Sequence, residues 1–348
     1  MGNKNEQIPN ESSTNELLKV MTANKWIEEA KLRPIPKVLF SEFWFEGEVC
    51  ILYADTNLGK SILAVQISES IASGVTIPEF KLDALKQNVV YLDFELTDKQ
   101  FEARYSESFK NHYKFNENLF RAEINPDGID CIASGQNDFS EYLYSSIENY
   151  VLKSNTKILI VDNLTYLRND TEQSKGALPL MKQLKTLKNK YGLSILVLAH
   201  TPKRDSSNPI SRNDLKGSKD LINFCDSAFA IGESQKDNSL RYLKQIKSRN
   251  TEIIFDDDNV CVCRISKPSN FLGFEFVKFD SEYVHLKKKN EKDDEKLKEK
   301  IIEQHSKGMS YRNIAKQLNT NHRKVGRVID KNKLDVINGT DGTDITNK

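Results

Sequence analysis

A chain of 348 residues is long enough for one large domain and a small one. Its charge is nearly balanced, 51 Lys+Arg against 50 Asp+Glu, so global basicity does not announce nucleic acid and any such role must rest on local clusters. Five cysteines without a C-x-x-C pair argue against a disulfide framework or a zinc site; a polar N-terminus and no apolar run of membrane-spanning length give the expectation of a soluble, cytoplasmic protein that meets no membrane.

Residues 1–15 are polar and read as a disordered tail. Leu17, Leu18, Met21, Trp26, Ile27 and Ala30 then recur at helical spacing, so 16–37 reads as an amphipathic helix and linker ending at Pro34 and Pro36. Strand-like runs follow at 49–53, 89–94, 119–124, 158–162, 194–200, 228–232 and 240–247. Helical patterns at 99–110, 139–152 and 178–191 separate the earlier ones. This alternation predicts an α/β core over 38–280, a largely parallel sheet with helices on both faces. Late strands at 260–265 and 271–279 have no helix between them. A charged linker is expected over 281–294, a small helical domain over 295–335 and a disordered tail over 336–348.

The chemistry starts at Ala54-Asp55-Thr56-Asn57-Leu58-Gly59-Lys60-Ser61, set between the run 49–53 and a helical pattern over 62–71. A buried strand, a loop ending Gly-Lys-Ser and a helix make a phosphate cradle. Loop N–H groups and the helix N-terminus face the phosphates, Lys60 reaches the β and γ groups, and the Ser61 hydroxyl ligates Mg²⁺. Ala54 stands where Gly is usual. The expected ligands are ATP or GTP with Mg²⁺.

Four apolar residues followed by Asp162 place a carboxylate at a strand's carboxyl end, where it can hold Mg²⁺ through water. The run 89–94 brings Asp93 and Glu95 to another strand end. Hydrolysis needs a group that polarises water near the γ-phosphate, and Glu95 is the candidate, although alternation puts both acids on one face. The strand 194–200 ends in His200, a candidate sensor of the γ-phosphate.

These motifs in this order resemble the RecA-fold hexameric motors of the DnaB and plasmid RepA replicative-helicase group. That group closes its second strand with a catalytic Glu and carries an Arg nine residues on, matched by Glu95 and Arg104; the resemblance favours Glu95 over Asp93. It also carries a strand-end Asp and a Gln or His sensor, matched by Asp162 and His200. Lys247-Ser248-Arg249-Asn250 matches its Lys-x-Arg-Asn motif, whose two cations enter the neighbouring subunit's ATP site in an arginine-finger role. The resemblance implies an ATP- and Mg²⁺-dependent RecA-like ATPase, a homo-oligomer of six subunits. It also implies single-stranded DNA contact through the loop after His200, with Lys203, Arg204, Arg212 and Lys216. A part in plasmid or mobile-element replication goes with it. The chain lacks the sizeable N-terminal helical domain of the DnaB type, so RepA-type motors are the closer comparison.

Toward the C-terminus three helices are expected: 295–307 ended by Gly308, 310–318 capped by Ser310, and 322–331 after the turn Asn319-Thr320-Asn321. The last would bury Val325, Val328 and Ile329 and expose His322, Arg323, Lys324 and Arg327. Gly308 to Leu318 resembles the helix-turn-helix of resolvases and homeodomain-like regulators, implying contact with double-stranded DNA. A DNA-acting motor targeted by this module is the reading. The alternative is an ATP-gated DNA-binding regulator that unwinds nothing.

Overall fold

The computed structural model describes residues 18–128, 139–163, 178–201, 204–215, 218–288, 291–318 and 320–339. The expected tail at 1–15, residues 340–348 of the tail expected over 336–348, Lys203, Lys216 and the turn residue Asn319 lie outside the described residues, while 336–339 are helical, the last turn of a helix expected to end at 331.

Strands β1 (Val38–Phe40) and β2 (Trp44–Phe45) form a small antiparallel pair ahead of β3 (Val49–Ala54), the strand that leads into the phosphate loop. After helix α2 (Lys60–Ser73) come β4 (Val89–Asp93), α3 (Asp98–Arg104), the two-residue strands β5 (Ser106–Glu107) and β6 (Asn111–His112), and β7 (Leu119–Ala122). Then follow α4 (Phe139–Ser154), β8 (Ile158–Asp162), α5 (Leu178–Tyr191), β9 (Ser194–His200) and α6 (Ser218–Phe224). The antiparallel run β10 (Ser227–Glu233), β11 (Leu240–Lys247), β12 (Val260–Ser266), β13 (Gly273–Asp280) completes the sheet.

Nine strands lie in the order β13-β12-β11-β10-β3-β9-β8-β4-β7, parallel from β10 to β7. Successive side chains of a strand go to opposite faces, and here both faces are covered. From β3, Cys50, Leu52 and Ala54 join Leu63, Ile67 and Ile71 of α2 in one layer. Val49, Ile51 and Tyr53 join Ile147 of α4, Leu184 and Leu187 of α5 and Leu221 of α6 in the other. That two-sided burial explains why β3, β8 and β9 read as unbroken apolar runs. The architecture is the expected α/β sheet with helices on both faces.

Several local features differ from the sequence expectation. Helix α3 stops at Arg104, not near 110: Tyr105 leaves helical geometry, and Ser108 and Phe109 take positive φ in the turn joining β5 to β6. Nothing periodic announces β1, β2 or the seven-residue α6. Helix α1 (Ala23–Lys31) begins after the Thr22 cap and buries no residue, with Trp26 39% and Ile27 55% exposed. Helix α7 (Glu291–Ser306) takes up the last four residues of the linker expected over 281–294, because a charged stretch of good helix formers needs no apolar face to start. Helices α8 (Tyr311–Gln317) and α9 (His322–Gly339) complete a three-helix unit around Ile301, Ile314, Ala315, Val325 and Ile329.

Among the described residues no helix is long and apolar enough to cross a membrane. Cys50, Cys225, Cys261 and Cys263 are buried and free.

Candidate nucleotide site

Because β3, β4, β8 and β9 run parallel, their carboxyl ends share one edge. Register makes the neighbours explicit: Ala54 is paired with His200, and Asp93 with Asp162. The phosphate loop leaves β3 at this edge, where open α/β sheets bind ligands.

Within the loop Asn57 has φ +64° and Gly59 φ +93°. The positive φ demands glycine here, and a Cβ would also crowd Ile265 Cδ1 at 2.7 Å and the Phe274 ring at 3.0 Å. Gly59 caps α2 without a side-chain hydrogen bond, which leaves the first N–H groups of the helix for an anion. Lys60, the first helical residue, folds its Nζ back to donate to the carbonyls of Ala54 and Asp55, both at 3.1 Å. Burial pulls its ammonium below the usual lysine range, while Glu95, Asp162 and Asp55 pull the other way. A buried cation resting on two carbonyls is poised for a better anionic partner.

Asp162 is fully buried at the end of β8. Burial pushes its carboxyl up to about 6, against the Ser61 and Tyr91 hydroxyls that hold it down. Tyr91 donates to Oδ2 at 2.5 Å, whereas Oδ1 is buried with no hydrogen-bond partner. An orphaned carboxylate oxygen beside the Ser61 hydroxyl fits a hydrated Mg²⁺ between them.

The two acids after β4 have different partners. Asp93 is almost wholly buried, accepting from the N–H groups of Glu95 (3.1 Å) and Leu96 (2.9 Å) and pairing with Arg121 Nε at 2.9 Å. Glu95 instead faces the phosphate loop. Its carboxyl lies 3.3 Å from His200 Nε2 and accepts from Asn163 Nδ2. His200, with help from Lys60 and Arg104, holds Glu95 below the ordinary carboxylate range although burial opposes this. Lys60 Nζ lies 3.2 Å from His200 Nδ1. Asn163 Nδ2 lies 3.2 Å from the other ring nitrogen, Nε2, so His200 is held between Lys60, Asn163 and Glu95.

Thr56, Gly59, Lys60, Ser61, Glu95, Arg104 and His200 line one cavity of about 210 Å³. Arg104 Nη1 is buried there without a hydrogen-bond partner, a second unsatisfied polar atom at the site. Asn163 belongs to this constellation although nothing in its residue type singled it out. Its place directly after the strand-end acid was the available signal.

Other sequence candidates lie away from this cavity. Lys247 donates to the carbonyls of Ile222 (2.5 Å) and Cys225 (2.7 Å), and Arg249 pairs with Asp226 at 3.0 Å. Asp226 in turn accepts from the N–H of Val49, the first residue of β3. Both cations thus occupy the amino edge of the sheet, opposite the phosphate loop of the same chain. Arg204 donates to the Asn208 carbonyl at 3.1 Å, while Arg212 reaches the Ile246 carbonyl at 3.4 Å, on the side of Lys247. The loop after His200 therefore does not hold Arg204 and Arg212 together. On α9, His322, Arg323 and Arg327 are exposed and Lys324 partly so; Asn321 accepts from the Arg323 N–H at 2.8 Å.

No curated protein sequence matches this one. Among solved structures, a KaiC-like protein from the hyperthermophilic archaeon Pyrococcus horikoshii OT3 is similar at 14% identity, over 67% of this chain and 91% of that one, with a TM-score of 0.44. A family model described as AAA domain matches residues 14–206, a span from before β1 to just beyond His200. With more than half of the chain matched, and with Lys60, Ser61, Glu95 and Asp162 gathered at one sheet edge inside that span, the chain belongs to the AAA domain family and is a P-loop ATPase.

Proposed function

We propose that the protein is a Mg²⁺-dependent ATPase of the RecA-like motor type, working in the cytoplasm on DNA as a homo-oligomer of six subunits. The carrying observation is that a hydrolytic set is divided between opposite edges of one sheet. Lys60, Ser61, Glu95, Asp162 and His200 stand at the carboxyl edge, Lys247 and Arg249 at the amino edge. A second copy that apposes its amino edge to this carboxyl edge completes the set.

In that reading Lys60 exchanges its two carbonyls for the β- and γ-phosphates, and Ser61 and Asp162 would hold Mg²⁺, which would neutralise phosphate charge. Glu95, ionised at neutral pH, orients and polarises the attacking water. His200 lies between Lys60 and Glu95 and registers whether the γ-phosphate is present. Arg249, its side chain 49% exposed, trades Asp226 for the neighbour's phosphate and stabilises charge developing there. Exposed cations on α9 deliver the assembly to duplex DNA. A part in plasmid or mobile-element replication accompanies this reading.

Mixing two inactive variants tests it. Glu95→Gln should keep ATP binding and lose about two orders of magnitude or more in turnover. Lys60→Ala and Arg249→Ala should each be inactive alone. Mixed subunits should regain activity, because some interfaces pair an intact Lys60 with an intact Arg249. An Arg249→Ala assembly that hydrolyses ATP at the wild-type rate ends the trans reading. A forked-duplex assay separates motor from regulator: ATP hydrolysis stimulated by DNA with no strand separation is the regulator's outcome.

A further inference from the structure

Helix α3 carries Arg104 as its last residue, and a helix this short ends with carbonyls that lack intrahelical donors. The Tyr105 N–H serves the carbonyls of Phe101 and Glu102. The next carbonyl, that of Ala103, accepts from Lys267 Nζ at 2.6 Å, and the same ammonium reaches the Ser106 carbonyl at 2.5 Å. Lys267 therefore holds the backbone on both sides of Arg104 from 164 residues away in sequence. It stands one residue beyond β12.

That strand also touches the phosphate loop. Ile265, two residues before Lys267, is the atom nearest a Cβ on Gly59, and Phe274 of β13 is next. Gln66 of α2 donates to the Phe274 carbonyl at 3.0 Å and accepts from its N–H at 2.8 Å. The β12–β13 hairpin is thus a bracket with one arm on the phosphate loop and the other, Lys267, on the end of α3. Between the arms sits Arg104, its Nη1 buried in the cavity wall without a partner.

We propose that Lys267 is a positioning residue of the nucleotide site, fixing the last turn of α3 so that Arg104 presents Nη1 to a bound nucleoside triphosphate. This rests on the nucleotide-site reading above. Lys267 touches no ligand; it acts through Arg104, which makes the assignment separable from a general packing role. Loss of the ammonium frees the backbone of Ala103 and Ser106 on either side of Arg104, and a guanidinium displaced by about an ångström forfeits most of its contribution.

The test uses the full chain and Mg-ATP, with KM, kcat and equilibrium binding of a fluorescent ATP analogue. Lys267→Met keeps the apolar stem and removes only the charge; Lys267→Ala is a second truncation. Each should raise KM and weaken analogue binding about tenfold. Lys267→Arg should restore both, since a guanidinium can also donate to two carbonyls. The double variant Lys267→Met/Arg104→Ala should bind no more weakly than Arg104→Ala alone, because the two residues act through one contact. Multiplicative losses in the double variant would overturn the assignment, as would wild-type affinity in the folded Lys267→Met protein beside a weakened Arg104→Ala. Lys60→Ala, run in parallel, separates the two readings: if it still binds the analogue normally, the nucleotide site itself is wrong. If only the Lys267 variants are unaffected, the site stands and the positioning role falls.

Discussion

Asp162 shows how one buried residue can trade stability for a function. Burial raises its carboxyl from 3.8 to about 6, so between about pH 4 and pH 6 the folded protein retains a proton that the unfolded chain releases. Stability contributed by the protonated form is present at low pH and lost as pH rises through that window. The ionised group then costs up to about 3 kcal/mol. With divalent cations chelated, Asp162→Asn should therefore be more stable than wild type at pH 8, by an amount of that order. The gap should shrink toward zero by pH 4. Urea unfolding at the two pH values checks this, and an equal gap at both excludes the burial argument. Asp93 is the contrast: equally buried, it has two backbone N–H groups and Arg121 to satisfy it.

Among the elements, the meander β10–β13 carries a buried ion pair that has nothing to do with phosphate. Lys244 of β11 donates to Glu282 at 2.5 Å and to the Ile210 carbonyl at 2.7 Å, and it also pairs with Asp257. Glu282, fully buried, accepts from the Ile210 N–H at 2.7 Å and the Tyr242 hydroxyl at 3.1 Å. The pair thus fastens the loop after His200, by both polar groups of Ile210, to the segment that follows β13. Removing one partner strands the other charge in the interior, so Glu282→Ala should lose about 3–5 kcal/mol of stability. Lys244→Met/Glu282→Leu should recover most of that loss, since apolar residues of similar volume often replace a buried pair. Thermal or urea unfolding decides it. A double variant no better than Glu282→Ala would mean that the hydrogen bonds to Ile210, rather than uncompensated charge, carry the effect.

For the whole molecule the question is what the helical unit α7–α9 adds to the ATPase core. Its small core is Ile301, Ile314, Ala315, Val325 and Ile329, and a surface depression is lined by Arg312, Thr320, Asn321, His322 and Arg323. In the full chain, Arg323→Ala and Arg327→Ala should each weaken duplex binding at low salt without changing the melting temperature, because neither side chain belongs to the core. Affinity should fall steeply with salt, and each variant should lower the salt slope by about one. Fluorescence anisotropy with a duplex probe measures both. Duplex affinity untouched by either substitution would leave the unit as a protein-contact cap.

What the amino-acid sequence determined by itself is whatever is encoded locally. The doubly buried strands are legible as apolar runs because both of their faces need burial, and the phosphate loop because the positive φ of Gly59 and the reach of Lys60 to the Ala54 and Asp55 carbonyls are set within a few residues. Helix α1 was legible too, as an amphipathic pattern, although its apolar residues stay exposed on this single chain. The tertiary structure decided what depends on partners distant in sequence. Alternation puts Asp93 and Glu95 on one face; Arg121, arriving on β7, takes Asp93, while His200 and Asn163 meet Glu95. Arg204 and Arg212 are close in sequence, yet one stays beside Asn208 and the other reaches β11, because the loop is pinned at Ile210 between them. Lys267 is one lysine among many until the hairpin carries it to the end of α3. Periodicity records which faces are apolar; hydrogen-bond partners are set by sheet register and by loops that cross the fold, and neither is written in local spacing.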